Sequence, residues 1–162
     1  MLILGIDCGS RVTGYGVIES LGRTQRAVGY GAIRVPAGND LADRLRFVAD
    51  GIDEVVERFR PSEAAVEDVF QHRNVSSAFT LAHVRGVALL SAARAGLPVA
   101  SYAPAQIKSS VVGYGTADKR QVRQMVTLLL GLQEEVKPLD VSDALAVAYC
   151  HASRRNAGAL AG

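Results

Sequence analysis

The sequence contains few of the residues that would identify a secreted, membrane or redox protein. Its 162 residues include two cysteines, Cys8 and Cys150, and no tryptophan. Two cysteines without a C-x-x-C pair provide no disulfide framework, so reduced thiols are expected. No apolar run approaches the roughly 20 residues of a membrane span, and the N-terminus lacks the basic start and small-residue cleavage site of a signal peptide. These absences predict a cytoplasmic protein with no membrane partner.

An excess of charge of one sign is also absent. The formal net charge is +2 and the sequence pI is about 8.7, so the overall charge is only weak evidence for a polyanionic partner. A nucleic-acid site must therefore rest on local clusters of basic residues. The length, with 49% hydrophobic residues, suits one domain with a sizeable core. We expect this domain to span residues 1–156, followed by a flexible tail at 157–162.

The hydrophobic pattern predicts the order of strands and helices. Apolar segments at 2–7, 14–20 and 26–35 are separated by short polar links, which favours three strands in an antiparallel meander. Residues 41–59 repeat apolar side chains at spacings of three and four, as an amphipathic helix does, and Asn39 or Asp40 can cap this helix. Further strands are predicted at 64–70 and 98–103, and further helices at 74–96, 104–113, 118–131 and 139–155.

This order of elements predicts an α/β fold. A meander followed by strands that alternate with helices gives a mixed five-stranded sheet, three strands antiparallel and the rest parallel, with helices on both faces. That arrangement is typical of a ribonuclease-H-like fold. A doubly wound sheet would need helices between its early strands, and the links there are too short to hold them.

Four carboxylates stand at positions where acidic residues are uncommon. Asp7 ends an apolar strand, Glu67 lies within another strand, and Asp140 and Asp143 stand three apart at the start of the last helix. Each has an ordinary explanation as well. Asp7 can open an Asx turn, Glu67 can face water from an edge strand, and Asp140 can be the N-cap of the helix with Asp143 at the third helical position.

The four together favour a second explanation. If Asp7 and Glu67 lie on neighbouring parallel strands and the helix brings Asp140 and Asp143 over them, four negative charges share one place. Like charges so close cannot all stay ionised unless cations lie between them. Oxygen ligands without cysteine select hard ions such as Mg²⁺ or Mn²⁺. A pair of such ions about 3.5–4 Å apart supports phosphodiester cleavage.

Several motifs resemble the RuvC family, the bacterial Holliday-junction resolvases. They are "GIDCGSRVTGYGVI", "VEDVF", "VRGVALL", "VVGYGTADKRQV" and "DVSDALAVAYCH", and they run in the family's order from about residue 2 to 152. The resemblance implies a ribonuclease-H-like fold, a homodimer, and Mg²⁺-dependent cutting of two symmetric strands of a four-way DNA junction. It implies two ions per subunit, with Mn²⁺ able to substitute, products with 5′-phosphate and 3′-hydroxyl ends, and a partner complex of the RuvA and RuvB branch-migration type.

The same resemblance assigns roles to individual residues. The family's catalytic and metal-binding carboxylates match Asp7, Glu67, Asp140 and Asp143, of which Asp7 would bridge the two metals. Its junction-contacting aromatic matches Phe70, and its basic positions near the scissile phosphate match Lys108 and Lys119. Clustering of polar and basic residues beside these motifs adds further predicted DNA contacts, namely Arg73, Asn74, Arg120 and Arg123.

Two residues depart from the family pattern. Cys8 stands where the family usually has proline, so the turn after Asp7 loses a fixed φ angle, and a thiol at this point could bind a soft metal or oxidise. Asp68 stands where relatives often carry glutamine. Strand alternation puts Asp68 on the opposite face from Glu67, which favours a structural role and leaves open a supporting role at the site.

Three questions remain open at the level of sequence. The segment around Asp7 also resembles the phosphate loop of the actin, sugar-kinase and Hsp70 superfamily, although those proteins close two such domains around a nucleotide. A catalytically dead junction-binding protein is a third candidate, disfavoured by the intact carboxylates. The helix at 74–96 is rich in small residues, which suits either a dimer contact or ordinary packing on the sheet; they are Ala78, Ala82, Gly86 and Ala93.

Overall fold

The computed structural model describes residues 1–68 and 75–160. Its five strands are β1 (Leu2–Asp7), β2 (Val12–Leu21), β3 (Thr24–Arg34), β4 (Glu63–Glu67) and β5 (Val99–Tyr102). Its helices in these ranges are α1 (Leu41–Phe59), α2 (Val75–Arg94), α3 (Pro104–Val112), α4 (Lys119–Leu129) and α5 (Leu139–Leu160).

The strands form one mixed sheet in the order β3-β2-β1-β4-β5. Strands β1, β2 and β3 are antiparallel neighbours, whereas β4 runs parallel to both β1 and β5. This topology confirms the predicted meander followed by parallel strands. It also makes β1 and β4 central strands, so both end at the same edge of the sheet.

Helices cover both faces of the sheet. On one face, Val48, Ile52 and Val55 of α1 and Val84, Ala88 and Ala92 of α2 pack with Leu4, Ile6 and Val66 of the strands. On the other face, α3, α4 and α5 pack against Ile3, Ile18 and Ala65. The predicted placement of helices on both faces is confirmed.

Glycines in the sheet allow α5 to lie directly on β1 and β2. A Cβ added at Gly5 would stand 2.2 Å from the carbonyl oxygen of Ala144, and one at Gly14 would stand 1.9 Å from that of Asp140. Such distances are far below an ordinary contact, so any side chain here would push the helix away. The N-terminal turn of α5 therefore lies over the end of β1 because these two strand positions carry no side chain.

The ends of several elements differ from the prediction. Strand β4 stops at Glu67 rather than at residue 70; Asp68 lies outside the strand, and residues 69–74 are outside the described part of the chain. Helix α5 continues to Leu160, beyond its predicted end at residue 155. Asp40, not Asn39, caps α1 by accepting a hydrogen bond from the backbone N–H of Asp43 at 2.9 Å.

Helix α2 is long and apolar. Its 20 residues are long and apolar enough to cross a membrane by length and composition alone. A single helix of this kind is weak evidence, because the helix of a folded core meets the same criteria, and the inner face of α2 packs against the sheet. Its outer face is exposed.

Candidate active site

Asp7 and Glu67 come together because their strands are parallel neighbours. Each is the last residue of its strand, and the pair before them, Ile6 and Val66, are direct partners in the β1–β4 ladder. Since side chains alternate along a strand, Asp7 lies on the face of Ile3 and Gly5, which is the face covered by α5. The central position of β4 also rules out the edge-strand explanation of Glu67.

The first turns of α5 supply the other two carboxylates. The helix begins at Leu139, so Asp140 lies inside its first turn and Asp143 one turn further on. Asp140 is therefore not the N-cap and Asp143 is not the third helical residue, and that explanation of the pair is wrong. The backbone of Asp140 rests on Gly14, which is the ladder partner of Asp7.

The environment of Asp7 disfavours its ionised form. Burial, followed by the charges of Glu67, Asp143 and Asp140, raises the pKa of Asp7 well above its ordinary value. Glu67 is the first of the three charges that act on Asp7, and repulsion between the two carboxylates favours the protonated form of Asp7.

The neighbouring carboxylates are perturbed in the same direction. Burial, with a contribution from the charge of Asp143, raises the pKa of Glu67. Burial also raises the pKa of Asp143, although the ammonium group of Lys119 opposes this shift. Lys119 Nζ lies 3.2 Å from Asp143 Oδ2, and this carboxylate in turn raises the pKa of Lys119.

The donor set suits a hard divalent cation. All four candidate ligands are carboxylates, whose oxygen atoms Mg²⁺ and Mn²⁺ prefer. Burial, together with repulsion among the carboxylates, raises the pKa of Asp7, Glu67 and Asp143, and a bound cation would offset this repulsion. Within residues 1–68 and 75–160, no three acidic, histidine or cysteine side chains converge closely enough to hold an ion as they stand. The donor chemistry fits a cation, whereas the side chains would have to turn inward to bind one.

The predicted DNA contacts in the described ranges lie in different settings. Lys108 and Lys119 line a cavity of about 70 Å³ together with Glu67 and Asp143. Arg120 is exposed next to Lys119 on α4. Arg123 instead pairs with Glu135 at 2.9 Å, with only 23% of its side chain exposed, so its guanidinium already has an acidic partner. The remaining predicted contacts, Phe70, Arg73 and Asn74, lie outside the described residues.

Cys8 lies on the opposite face of the sheet from Asp7. It packs with the residues beneath α1 and α2, as strand alternation after Asp7 requires. Burial, with a smaller contribution from the charge of Asp7, raises the pKa of the Cys8 thiol to about 12. Cys8 is half-buried, and a thiol that stays protonated is a poor metal ligand and a slow nucleophile, so the structure disfavours the idea that Cys8 binds a soft metal or oxidises readily.

Sequence reasoning missed two residues that shape this site. Gly14 was visible only as part of a glycine-punctuated strand, although a glycine inside a strand often marks the close approach of another backbone. Arg85 reaches from α2 to the end of β4, where its Nε donates to the carbonyl oxygen of Glu67 at 3.1 Å. Its Nη2 donates to Asp68 Oδ1, so Asp68 has a structural partner rather than a place among the four carboxylates.

Comparison with known proteins identifies the family of this chain. The family model described as "Crossover junction endodeoxyribonuclease RuvC" matches residues 3–151. Proteins of that name from Heliobacterium modesticaldum and Moorella thermoacetica are 51% and 50% identical over 150 and 153 residues, covering 93% and 94% of this chain and 93% and 92% of the relatives.

Solved structures show the same fold. Thermus thermophilus RuvC superposes with a TM-score of 0.89 at 34% identity, and its complex with a Holliday junction substrate superposes with a TM-score of 0.88 at 31% identity. Each alignment covers 98% of this chain and 97% of the other. The sheet is therefore a ribonuclease-H-like sheet with an acidic cluster at one edge, and the chain belongs to the RuvC family of crossover junction endodeoxyribonucleases.

Proposed function

We propose that this chain resolves four-way DNA junctions by paired, metal-dependent hydrolysis of phosphodiester bonds at the edge of its sheet. The observation that carries the proposal is the proximity of four carboxylates: burial, followed by the charges of Glu67, Asp143 and Asp140, raises the pKa of Asp7. Enzymes of the RuvC family are nucleases that act on crossover junctions. This activity belongs to homologous recombination and DNA repair.

The nucleases of this family depend on a metal, and we propose Mg²⁺ as the ion, two per subunit, with Mn²⁺ able to substitute. Bound ions of this kind lower the pKa of a bound water and neutralise charge on a leaving oxygen. Asp7, Glu67, Asp140 and Asp143 would hold them, since all four offer hard oxygen donors. Bound cations would offset the burial and repulsion that raise the pKa of Asp7, and would so favour its ionised form. The products would carry 5′-phosphate and 3′-hydroxyl ends.

The basic residues beside the carboxylates would bind the DNA backbone. Lys108 and Lys119 border the cavity that Glu67 and Asp143 also line, and Arg120 is exposed on the same helix as Lys119. Neutralisation of phosphates by such residues supplies most of the affinity of proteins for DNA. Phe70, Arg73, Asn74 and Arg123 stay predicted DNA contacts, of which Arg123 would first have to leave Glu135.

Two subunits would be needed for paired nicks. A four-way junction is close to two-fold symmetric, and a dimer with the same symmetry presents one acidic cluster to each of two strands. The outer face of α2 suits such a contact, because Val75, Phe79 and Leu90 are 68%, 64% and 57% exposed. Together with Ala82 and Gly86 they recur every three or four residues along α2, so they form one apolar stripe on its surface. Exposed apolar patches of this kind often mark sites of protein association.

The dimer proposal is tested by a matched pair of substitutions. Leu90→Glu puts a charge in the α2 stripe, and Leu128→Glu puts the same charge at a leucine on α4 that is 74% exposed. We expect Leu90→Glu to give monomers in sedimentation velocity and to lose paired cutting, while Leu128→Glu remains a dimer. Equal dimerisation of both variants would contradict the use of α2.

The catalytic proposal is tested with a synthetic four-way junction, the matching linear duplex and ATP, each incubated with Mg²⁺ or EDTA. We expect symmetric nicks in the junction alone, lost in EDTA and in Asp7→Asn, and retained in Asp53→Asn, which changes an exposed aspartate on α1. Binding of the junction should persist in EDTA because the basic residues do not need the ions. ATP turnover without nicking would refute the proposal in favour of a nucleotide-handling protein.

Two expectations about the cellular setting follow from the same proposal. The chain would act in the cytoplasm, where its DNA substrate lies, and would follow a branch-migration complex of the RuvA and RuvB type. The single domain would span residues 1–156, with residues 157–162 as its tail. These expectations rest on the family resemblance and on the sequence.

A further inference from the structure

Arg85 connects three segments of the chain behind the acidic cluster. From α2 its Nε donates to the carbonyl oxygen of Glu67 at 3.1 Å, and its Nη2 donates to Asp68 Oδ1 and to Ser101 Oγ, the latter at 2.7 Å. Ser101 belongs to β5, so one guanidinium holds the ends of two parallel strands to the helix that covers them. Only 21% of the Arg85 side chain is exposed.

The contact lies at the point where strand β4 ends. The backbone N–H of Asp68 makes a hydrogen bond to the carbonyl oxygen of Tyr102 at 2.9 Å, and the chain then leaves the sheet. The carbonyl oxygen of Glu67 accepts a hydrogen bond from Arg85 Nε at this end of the strand. The φ and ψ angles of Glu67 set the direction in which its side chain leaves the backbone, and Arg85 holds the peptide unit that follows them.

The guanidinium acts from behind the sheet and not on the carboxylates themselves. Val84 and Ala88 of α2, which flank Arg85 in the helix, pack on the face of the sheet that carries Val66. Glu67 follows Val66 in the strand, so its side chain is on the other face, which α5 covers. Arg85 therefore lies under the strand ends, on the face opposite the site.

The shape of arginine suits this task. Its planar group carries five N–H donors in a fixed fork, so one side chain can satisfy three acceptors with set directions. Lysine would offer a point charge on a flexible stem. The carboxylate of Asp68 gives the guanidinium a charged partner and limits its rotation, which a neutral residue at this position would do less firmly.

We propose that Arg85 is a positioning residue of the nuclease, held by Asp68 and Ser101, which fixes the backbone of Glu67 and thereby the direction of the Glu67 carboxylate. This inference rests on the proposed role of Glu67 as a metal ligand. It also links α2, whose outer face is the proposed dimer contact, to the acidic cluster.

The test compares Arg85→Gln, Arg85→Lys and Asp68→Asn with wild type and with the control Arg94→Gln, an exposed arginine in the last turn of the same helix. Three quantities are measured on each protein: the single-turnover rate of junction cutting against Mg²⁺ concentration, the rise in thermal midpoint that Mg²⁺ produces without DNA, and the junction affinity in EDTA. The second quantity reports ion binding independently of activity.

We expect Arg85→Gln to cut about 10- to 100-fold more slowly and to need about tenfold more Mg²⁺ for half of the thermal shift, as changes to residues that orient metal ligands do. The loss of cutting rate and of Mg²⁺ binding should be smaller for Asp68→Asn, because its amide oxygen still accepts a hydrogen bond. Arg85→Lys should show a loss between those of Asp68→Asn and Arg85→Gln. Junction affinity in EDTA should stay within about twofold of wild type for all variants, and Arg94→Gln should match wild type throughout.

Wild-type metal dependence in Arg85→Gln would overturn the inference. The inference would also be overturned if Arg85→Gln lowered the amount of folded protein while the folded fraction bound Mg²⁺ as wild type does, because that result would indicate a purely structural role. Glu67→Gln separates this failure from that of the proposed function. If Glu67→Gln cuts junctions normally, the role of Glu67 is wrong; if it is inactive while Arg85→Gln is normal, only the positioning role is wrong.

Discussion

Substitution of Gly14 by alanine tests how closely the position of α5 controls the chemistry. A Cβ at this residue would stand 1.9 Å from the carbonyl oxygen of Asp140, 2.4 Å from its carbonyl carbon and 2.9 Å from the backbone nitrogen of Val141. All three atoms belong to the helix backbone, so no side-chain rotation can relieve the clash. Restoring a contact of 3.4 Å requires the strand and the first turn of α5 to separate by about 1.5 Å.

This displacement acts on the acidic cluster directly. Asp140 moves away from Asp7, because Gly14 is the ladder partner of Asp7 and lies beneath Asp140. A misplacement of about 1 Å in a reacting group can cost about 100-fold in rate, so we expect Gly14→Ala to cut junctions at least about 100-fold more slowly. Overpacking of this kind also costs about 1–3 kcal/mol in the free energy of unfolding.

Two further glycines separate displacement of Asp140 from general loosening. At Gly16 an added Cβ meets mainly the Leu145 side chain, at 2.7 Å, deeper in the fold. At Gly158 it meets no atom of the described residues within 4 Å. Single-turnover cutting, urea unfolding and junction binding in EDTA should show a stability loss for both Gly14→Ala and Gly16→Ala, the larger rate loss for Gly14→Ala, and no change for Gly158→Ala. A folded Gly14→Ala that cuts within twofold of wild type would refute this account of the site.

Three other outcomes follow from the structure. Folding raises the pKa of Asp7, so the metal-free protein loses stability as the pH rises above the ordinary carboxyl value of 3.8 and towards the raised pKa. Asp7→Asn should therefore be more stable than wild type in EDTA at about pH 7.5. Urea unfolding should show that this difference in stability vanishes below about pH 4. Glu63 lies 2.7 Å from His151 and 2.8 Å from Arg155 with 12% of its side chain exposed, so Glu63→Ala should lower the free energy of unfolding by about 2–3 kcal/mol while the folded protein cuts junctions at the wild-type rate. The Cys8 thiol is half-buried and has a pKa of about 12, so it should react with an aromatic disulfide reagent at pH 8 more slowly in the native protein than after unfolding. Equal labelling rates in the two states would show that the fold does not suppress its thiolate.

The sequence indicated the condition under which Asp7 and Glu67 would lie close together, namely that their strands are parallel neighbours. The structure meets this condition, since β1 pairs with β4 in parallel and the two strands end at one edge of the sheet. The glycines at 5 and 14 were visible, but nothing in the sequence says which helix they admit. That information depends on where α5 packs in the folded protein. The end of this helix was also missed, since it lies at Leu160 rather than at residue 155.

Contacts between distant side chains could not be predicted in the same way. The pairs Arg85–Asp68 and Arg123–Glu135 join residues from different elements, and no local pattern selects them from the other basic residues. The face occupied by Cys8 was predictable, since strand alternation alone places it opposite Asp7. The position of Cys8 next to Asp7 in the sequence suggested metal binding or oxidation. Its position in space, on the opposite face of the sheet among apolar residues, does not support either.

The ion pair between Lys119 and Asp143 has the properties of a contact that can be exchanged. The lysine side chain is 71% exposed, while that of Asp143 is 18% exposed, so water screens the pair from one side and its net contribution is about 0–1 kcal/mol. It nevertheless opposes the effect of burial on the pKa of Asp143, in a cluster where three carboxylates have raised pKa values. If Asp143 held a cation, that ion would replace the ammonium group at little cost, and Lys119, which borders the cavity, would be free to bind a DNA phosphate. A strongly buried ion pair at the same place would resist this exchange, because leaving one buried partner unpaired costs about 3–5 kcal/mol.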